Sequence, residues 1–282
     1  MMILDTSPRL YAYTGGRPFD PARPTVVFIH GAQHDHSVWI LQSRYLAHHG
    51  YSVLAFDLPG HMRSEGPALA TVEAMADRLR DGVLAAGATQ LLLVGHSMGS
   101  LIALELARRM PDRTRGVALV AAAFPMRVSD ALLVATRSDV PQALDMINVW
   151  SHSAALAAFE RKPCSPGPGF SNAWQNLRLM QRIARRDGPD VLPLDFAACN
   201  SYAGGLDAAR SLVCPALFVL GSQDVMTPPR AAQALVEACP DATVVQVDGG
   251  GHSLMAERPD QVLAALKGFA KRVFAPSAAH AG

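Results

Sequence analysis

Six short, nearly continuously apolar runs constrain this chain more than anything else in it: TVVFIH (25–30), SVLAFD (52–57), QLLLVG (90–95), GVALVAAAF (116–124), PALFVLG (215–221) and ATVVQVD (242–248). A strand with one face in water alternates apolar and polar residues. A strand buried on both faces does not, and such strands belong to parallel sheets. Helix-like stretches lie between most of the runs, at about 37–49, 71–87, 98–109, 229–238 and 259–273. This alternation predicts an α/β fold with a mostly parallel, doubly wound sheet flanked by helices. Sites in such folds form beyond the carboxyl ends of the strands.

The alternation stops between about 125 and 209. No strand is readable there. The pattern predicts helices near 128–137, 141–150, 153–161, 172–186 and 193–202, interrupted by a stiff, turn-rich link, KPCSPGPGF (162–170). The expected organisation is a core of 1–124 and 208–275, an all-helical cap of 125–207 inserted after the sixth strand, and a disordered tail, 276–282. The N-terminal MILDTSPRLYAYTGG offers about one and a half strands, so whether the first strand of the sheet is present, missing or clipped stays open.

Composition excludes several classes. Half of the 282 residues are hydrophobic and 17% are charged, which supports a large core. A net charge of +1 offers no field for nucleic acid. No apolar run approaches the ~18–20 residues that span a bilayer, and the N-terminus lacks the pattern of a secretory signal. The four cysteines, Cys164, Cys199, Cys214 and Cys239, form no CxxC pair. Reduced thiols and a cytoplasmic location are expected. Neither nucleic acid nor membrane is expected as a partner, and a homodimer stays open.

One pentapeptide carries chemistry. Gly95-His96-Ser97-Met98-Gly99 follows an apolar run and precedes a helical pattern. A strand turning straight into a helix crowds its own backbone, and small residues two before and two after the serine relieve the crowding. A serine there could simply cap the helix. As a nucleophile it needs a base and a group to orient that base. Asp224 follows the run PALFVLG, and His252 follows ATVVQVD in a glycine-rich loop. Three strand ends at one sheet edge would bring Ser97, Asp224 and His252 together. His96, adjacent to Ser97, should be aimed away from its hydroxyl. An acyl-transfer site also needs two oxyanion donors; the backbone N–H groups of Met98 and of Ala32, in the loop His30-Gly31-Ala32-Gln33, are the candidates.

On these residues the chain resembles the α/β-hydrolase superfamily. TVVFIHG with Trp39, FDLPGHMRSE (56–65), LLLVGHSMGS, CPALFVLGSQDVMTPP and GGGHSLMAERP are similar to its motifs, in its order of serine, acid and histidine, over roughly 24–124 and 208–273. Met62 departs from the glycine usual at its position. The resemblance implies a cofactor-free, metal-free serine hydrolase with a helical cap. Carboxylesterases are the broadest match. Lactonases, perhydrolases and carbon–carbon bond hydrolases use the same triad and stay open, as do an acyltransferase and a non-catalytic ligand receptor. Haloalkane dehalogenases and epoxide hydrolases would need an aspartate at Ser97, and proline iminopeptidases usually carry tryptophan at Met98.

The remaining candidates are weaker in kind. Phe124, Met126, Met226 and Met255 sit at or beyond strand ends, where a soft pocket lining for a small, largely apolar acyl substrate is expected. His34, Asp35 and His36 read as solvated loop residues, because no further metal-ligand set accompanies them. Arg178, Arg182, Arg185 and Arg186 recur at helical spacing and read as a solvated helix face, with docking of an anionic substrate or carrier as the sharper alternative.

Overall fold

The computed structural model describes residues 1–153 and 168–275. Eight strands form one sheet: β1 (Met2–Leu4), β2 (Leu10–Tyr13), β3 (Thr25–Ile29), β4 (Ser52–Phe56), β5 (Leu91–His96), β6 (Thr114–Val120), β7 (Ala216–Gly221) and β8 (Ala242–Val247), in the order β1-β2-β4-β3-β5-β6-β7-β8. β1 pairs with β2, and β2 with β4, antiparallel; every other pairing is parallel. This is the mostly parallel sheet that the alternating pattern predicts.

The continuous apolar runs have the expected cause. Val27, Ile29, Leu91, Leu93, Val117 and Leu119 join one core layer. Val26, Phe28, Leu92, Val94, Ala118 and Val120 join the other. Alternate side chains of one strand point to opposite faces, and here both faces are covered by helices. Each of these larger side chains contributes roughly 1.5–3 kcal/mol by leaving water. The run at β8 is the exception. It is the sheet's edge, and Val244 is 46% exposed.

The N-terminus answers what the sequence leaves open. The first strand is present: Met2 pairs with Ala12 and Leu4 with Leu10, while Ala12 also pairs with Phe56. Strands of three and four residues are too short to show a period. Leu4, Leu10 and Ala12 are nevertheless buried beneath the sheet edge.

Parallel register aligns the strand ends. Ile29 pairs with Gly95, Gly95 with Leu119, Val120 with Val219, and Gly221 with Val247. The loops that follow β3, β5, β7 and β8 therefore leave one edge of the sheet. Between β6 and β7 the described residues form only helices: Asp130–Ser138, Val140–Trp150, Pro168–Asp187, Val191–Ser201 and Gly205–Arg210. The last was not expected. Pro168–Phe170, read from sequence as link, belong to a helix; proline is tolerated at a helix start because the first amide has no intrahelical partner. The expected helix at 153–161 (beyond Ser153), the rest of the link with Cys164, and the tail 276–282 lie outside the described residues. None of the described helices is long and apolar enough to cross a membrane.

Candidate active site

β5 ends at His96 and the next helix begins at Met98. Ser97 between them has φ 52° and ψ −120°, a left-handed conformation that costs a non-glycine residue of order 1–3 kcal/mol. Its side chain makes no capping hydrogen bond although it holds the N-cap position, which disfavours the capping role. The glycines explain how the chain gets through. A Cβ on Gly95 would lie 2.0 Å from the Gly99 carbonyl oxygen, and one on Gly99 would lie 2.4 Å from that of Ile29. Gly95→Ala is therefore expected to cost about 3 kcal/mol or more by overpacking against backbone that cannot yield. A lowered urea midpoint is the readout; an unchanged midpoint would show the bend to be looser than this.

Asp224 and His252 meet at the same edge. His252 Nδ1 donates to Asp224 Oδ2 at 2.8 Å, and both residues are buried. Thr227 joins them: its hydroxyl is 2.6 Å from the same Oδ2 and 3.0 Å from His252 Nδ1. Asp224 Oδ1 accepts the amides of Met226 and Thr227. Burial works to raise the Asp224 carboxyl. The charge and hydrogen bond of His252, with the side-chain and backbone hydrogen bonds of Thr227, outweigh it and hold the group down at about 2. Asp224 is thus ionised near neutrality. With Nδ1 donating to a carboxylate, the neutral His252 ring carries its lone pair on Nε2.

His96 has a partner of its own. Its Nε2 donates to the His252 carbonyl oxygen at 3.0 Å. Burial above all, then the neighbouring His252, pushes its pKa well below the ordinary value and keeps the ring neutral. Ala32 lies in the loop after β3, and its carbonyl accepts from His34 Nδ1 at 2.8 Å. The Met98 amide opens the helix Met98–Arg109, whose N-terminal dipole favours developing negative charge. Gly31, Ala32, Ser97 and His252 all line one cavity of about 350 Å³.

A model of the alpha/beta hydrolase fold matches residues 24–259. The chain belongs to this family. It is 29% identical over 258 residues to pimeloyl-(acyl-carrier protein) methyl ester esterase of Chromobacterium violaceum, covering 86% of this chain and 92% of that relative. An esterase from Exiguobacterium antarcticum superposes with a TM-score of 0.80 at 17% identity, over 95% of this chain and 98% of the other. The enol-lactonase from Burkholderia xenovorans LB400 gives 0.77 at 23%, over 94% and 97%. At these identities the two structures share the hydrolase fold.

The pocket candidates of this hydrolase divide. Met126 and Met226 line the cavity. Phe124 is absent from its lining and instead stacks edge-on with Tyr202 at 5.9 Å, beneath Gly205. Met255 lines a neighbouring cavity that shares His34 and His96 with the first. Much of the apolar wall comes from the insert, through Leu132, Ile147, Trp150 and Phe196. Helical sequence alone did not single these out. Thr227 was also missed. Its only signal was a hydroxyl residue three positions after a strand-end aspartate, the spacing at which an aspartate accepts amides downstream.

The solvated-loop reading of His34, Asp35 and His36 is overturned. His34 and Asp35 are buried. Asp35 Oδ1 accepts the Ser37 amide and caps the turn His36–Trp39, while its Oδ2 pairs with Arg182. His36 Nδ1 lies 2.7 Å from Asp57 Oδ1. Asp57 is the companion that sequence did not reveal: ligand atoms of Asp35, His36 and Asp57 lie within 4.8 Å of one another. Each carboxylate oxygen already holds a hydrogen bond, the second Asp57 oxygen from the Arg63 amide. The arginine row is likewise partly engaged. Arg182 pairs with Asp35, and Arg178 sits over the Trp174 ring at 5.2 Å. Met62 takes φ 44°, the conformation that a glycine would relieve, and its amide donates to Asp187 at 2.7 Å.

Proposed function

We propose that this hydrolase is a carboxylesterase-type serine enzyme that cleaves an ester of a small, largely apolar acyl group through an acyl-enzyme. The observation that carries the reading is a buried Asp224–His252 pair opening onto the same apolar cavity as a serine held at positive φ. His252 Nε2 takes the proton from Ser97 as its oxygen attacks the ester carbonyl. The carbonyl oxygen becomes an oxyanion, held by the Ala32 and Met98 amides. Collapse breaks the ester C–O bond, and the departing oxygen takes the proton from His252 and leaves as the alcohol. Water then attacks the acyl-enzyme with His252 again as base, releasing the acid and restoring Ser97. Asp224 keeps the imidazole in the right tautomer and stabilises the imidazolium. Every step is completed by these groups and water.

The experiment is a fluorophosphonate probe together with nitrophenyl esters of rising acyl length. Ser97 should be labelled. The specificity constant should rise with chain length and then fall once the acyl group exceeds a cavity of about 350 Å³. Absence of both labelling and hydrolysis would point instead to a ligand receptor. Label without ester turnover, but with transfer to an added alcohol or thiol, would point to an acyltransferase.

A further inference from the structure

The insert sends one carboxylate deep into the core. Asp195, on the helix Val191–Ser201, is fully buried, and its Oδ2 accepts from two remote segments. One donor is the Gln33 amide at 2.8 Å; the other is His61 Nε2 at 3.0 Å. Gln33 follows Ala32, the candidate oxyanion donor. The peptide joining them is held on both sides: its carbonyl accepts from His34 Nδ1, and its N–H is taken by Asp195. Gln33 has φ 55°, a conformation a glutamine does not keep without help. Its side-chain Nε2 donates to the Met180 carbonyl at 3.1 Å, so a second helix of the insert, Pro168–Asp187, also grips it.

His61 completes the clamp. Its Nδ1 lies 3.1 Å from the Pro59 carbonyl and its Nε2 faces the Asp195 carboxylate. Two oxygen acceptors need two N–H donors, so the ring is an imidazolium. Burial opposes that charge. The Asp195 charge and hydrogen bond outweigh it and raise the ring to about 9. The Asp195 oxygen thus lies between a fixed cation and a fixed amide, with little freedom to swing away from Gln33.

We propose that Asp195 is a positioning residue for the oxyanion site: it fixes the peptide after Ala32, limits rotation at Ala32, and so aims the Ala32 amide at the reacting carbonyl. The inference rests on the serine-hydrolase reading above. It also gives the insert a second task, because the helices that wall the cavity set the geometry of the chemistry. Losing an oxyanion donor outright costs ~10²–10³-fold in turnover. A donor released but still present should cost about 10- to 100-fold.

The test compares Asp195→Ala, Asp195→Leu and Asp195→Asn with wild type on a short-chain nitrophenyl ester. Rates are normalised to the fraction of sites labelled by a fluorophosphonate. Asparagine can place its oxygen at Oδ2 and its amide at Oδ1, which has no partner among the described residues, so it keeps the acceptor and loses the charge. Alanine and leucine both lose the acceptor, and leucine fills the space. Alanine and leucine are expected to lower normalised kcat about 10- to 100-fold with KM within about threefold, and asparagine to restore most of kcat. Affinity for a boronic acid mimic of the tetrahedral state should fall in step with kcat/KM. A purely structural role would change the labelled fraction and leave kcat per labelled site alone. The proposal is overturned if kcat per site is unchanged, if the loss lies in KM alone, if asparagine is as poor as alanine, or if neither acceptor-free variant folds. Failure of wild type to label would instead sink the serine-hydrolase reading.

Discussion

Replacing Ser97 with alanine should lower turnover of a short-chain ester on the order of 10⁴- to 10⁶-fold and barely disturb the fold. The two halves of this expectation have separate physical grounds. A triad acts as a unit: without the nucleophile, the remaining groups can only orient water and stabilise charge, so nearly the whole benefit disappears at once. The fold should tolerate the change because the Ser97 side chain caps no helix. The elbow is built from backbone instead. The Ser97 amide donates to the Val120 carbonyl at 2.9 Å, and its own carbonyl accepts from Ser100; alanine keeps both. The positive φ is equally unfavourable for alanine, so neither gain nor relief of strain is expected. The measurement is kcat/KM beside a urea melt. A variant retaining more than a tenth of wild-type activity would remove Ser97 from the nucleophile's role.

The two parts of the molecule differed in how far they could be read ahead. Strand positions were legible because burial on both faces writes itself into the sequence as unbroken apolar runs. The helix after Ser97 was expected at 98–109 and spans Met98–Arg109. What the sequence leaves hidden depends on distant chain segments. Asp35 is next to histidines in a loop and looks solvated, yet Arg182 from a helix far along the chain covers it. Asp195 sits in an ordinary helical stretch, and only the fold brings it to Gln33 and His61. Phe124 stood at an expected strand end, but β6 stops at Val120, where Ala121 takes φ 52° and the chain turns away. That turn serves the site, since it places the Ala121 carbonyl 3.0 Å from the Thr227 hydroxyl beside Asp224. Each acid, base and nucleophile candidate was visible as a residue type past a strand end. The groups that hold them from afar were not, because a hydrogen bond such as that from the Gln33 amide to Asp195 joins segments with no fixed spacing in the sequence.

Asp224→Asn should cost about 10⁴-fold in kcat, following the tautomer argument for such triads, and the hydrogen bonds around Asp224 give the reason. Its Oδ1 accepts two backbone amides, from Met226 and Thr227. An asparagine must put its carbonyl oxygen there, since an NH₂ group facing two N–H donors would leave all of them unpaired in a buried site. The NH₂ group then takes the place of Oδ2, which now accepts from His252 Nδ1. Facing a donor, the ring must offer Nδ1 as an acceptor and carry its proton on Nε2. That nitrogen is the one required to deprotonate Ser97, so the base is consumed by its own tautomer. Asp224→Ala imposes no such choice, and it should lose less activity than the asparagine variant despite the larger deletion. Nitrogen NMR of the histidine rings gives an independent readout, with the His252 proton on Nδ1 in wild type and on Nε2 in Asp224→Asn. If the asparagine variant keeps the wild-type tautomer, or outperforms alanine, then Asp224 does not act by orienting His252.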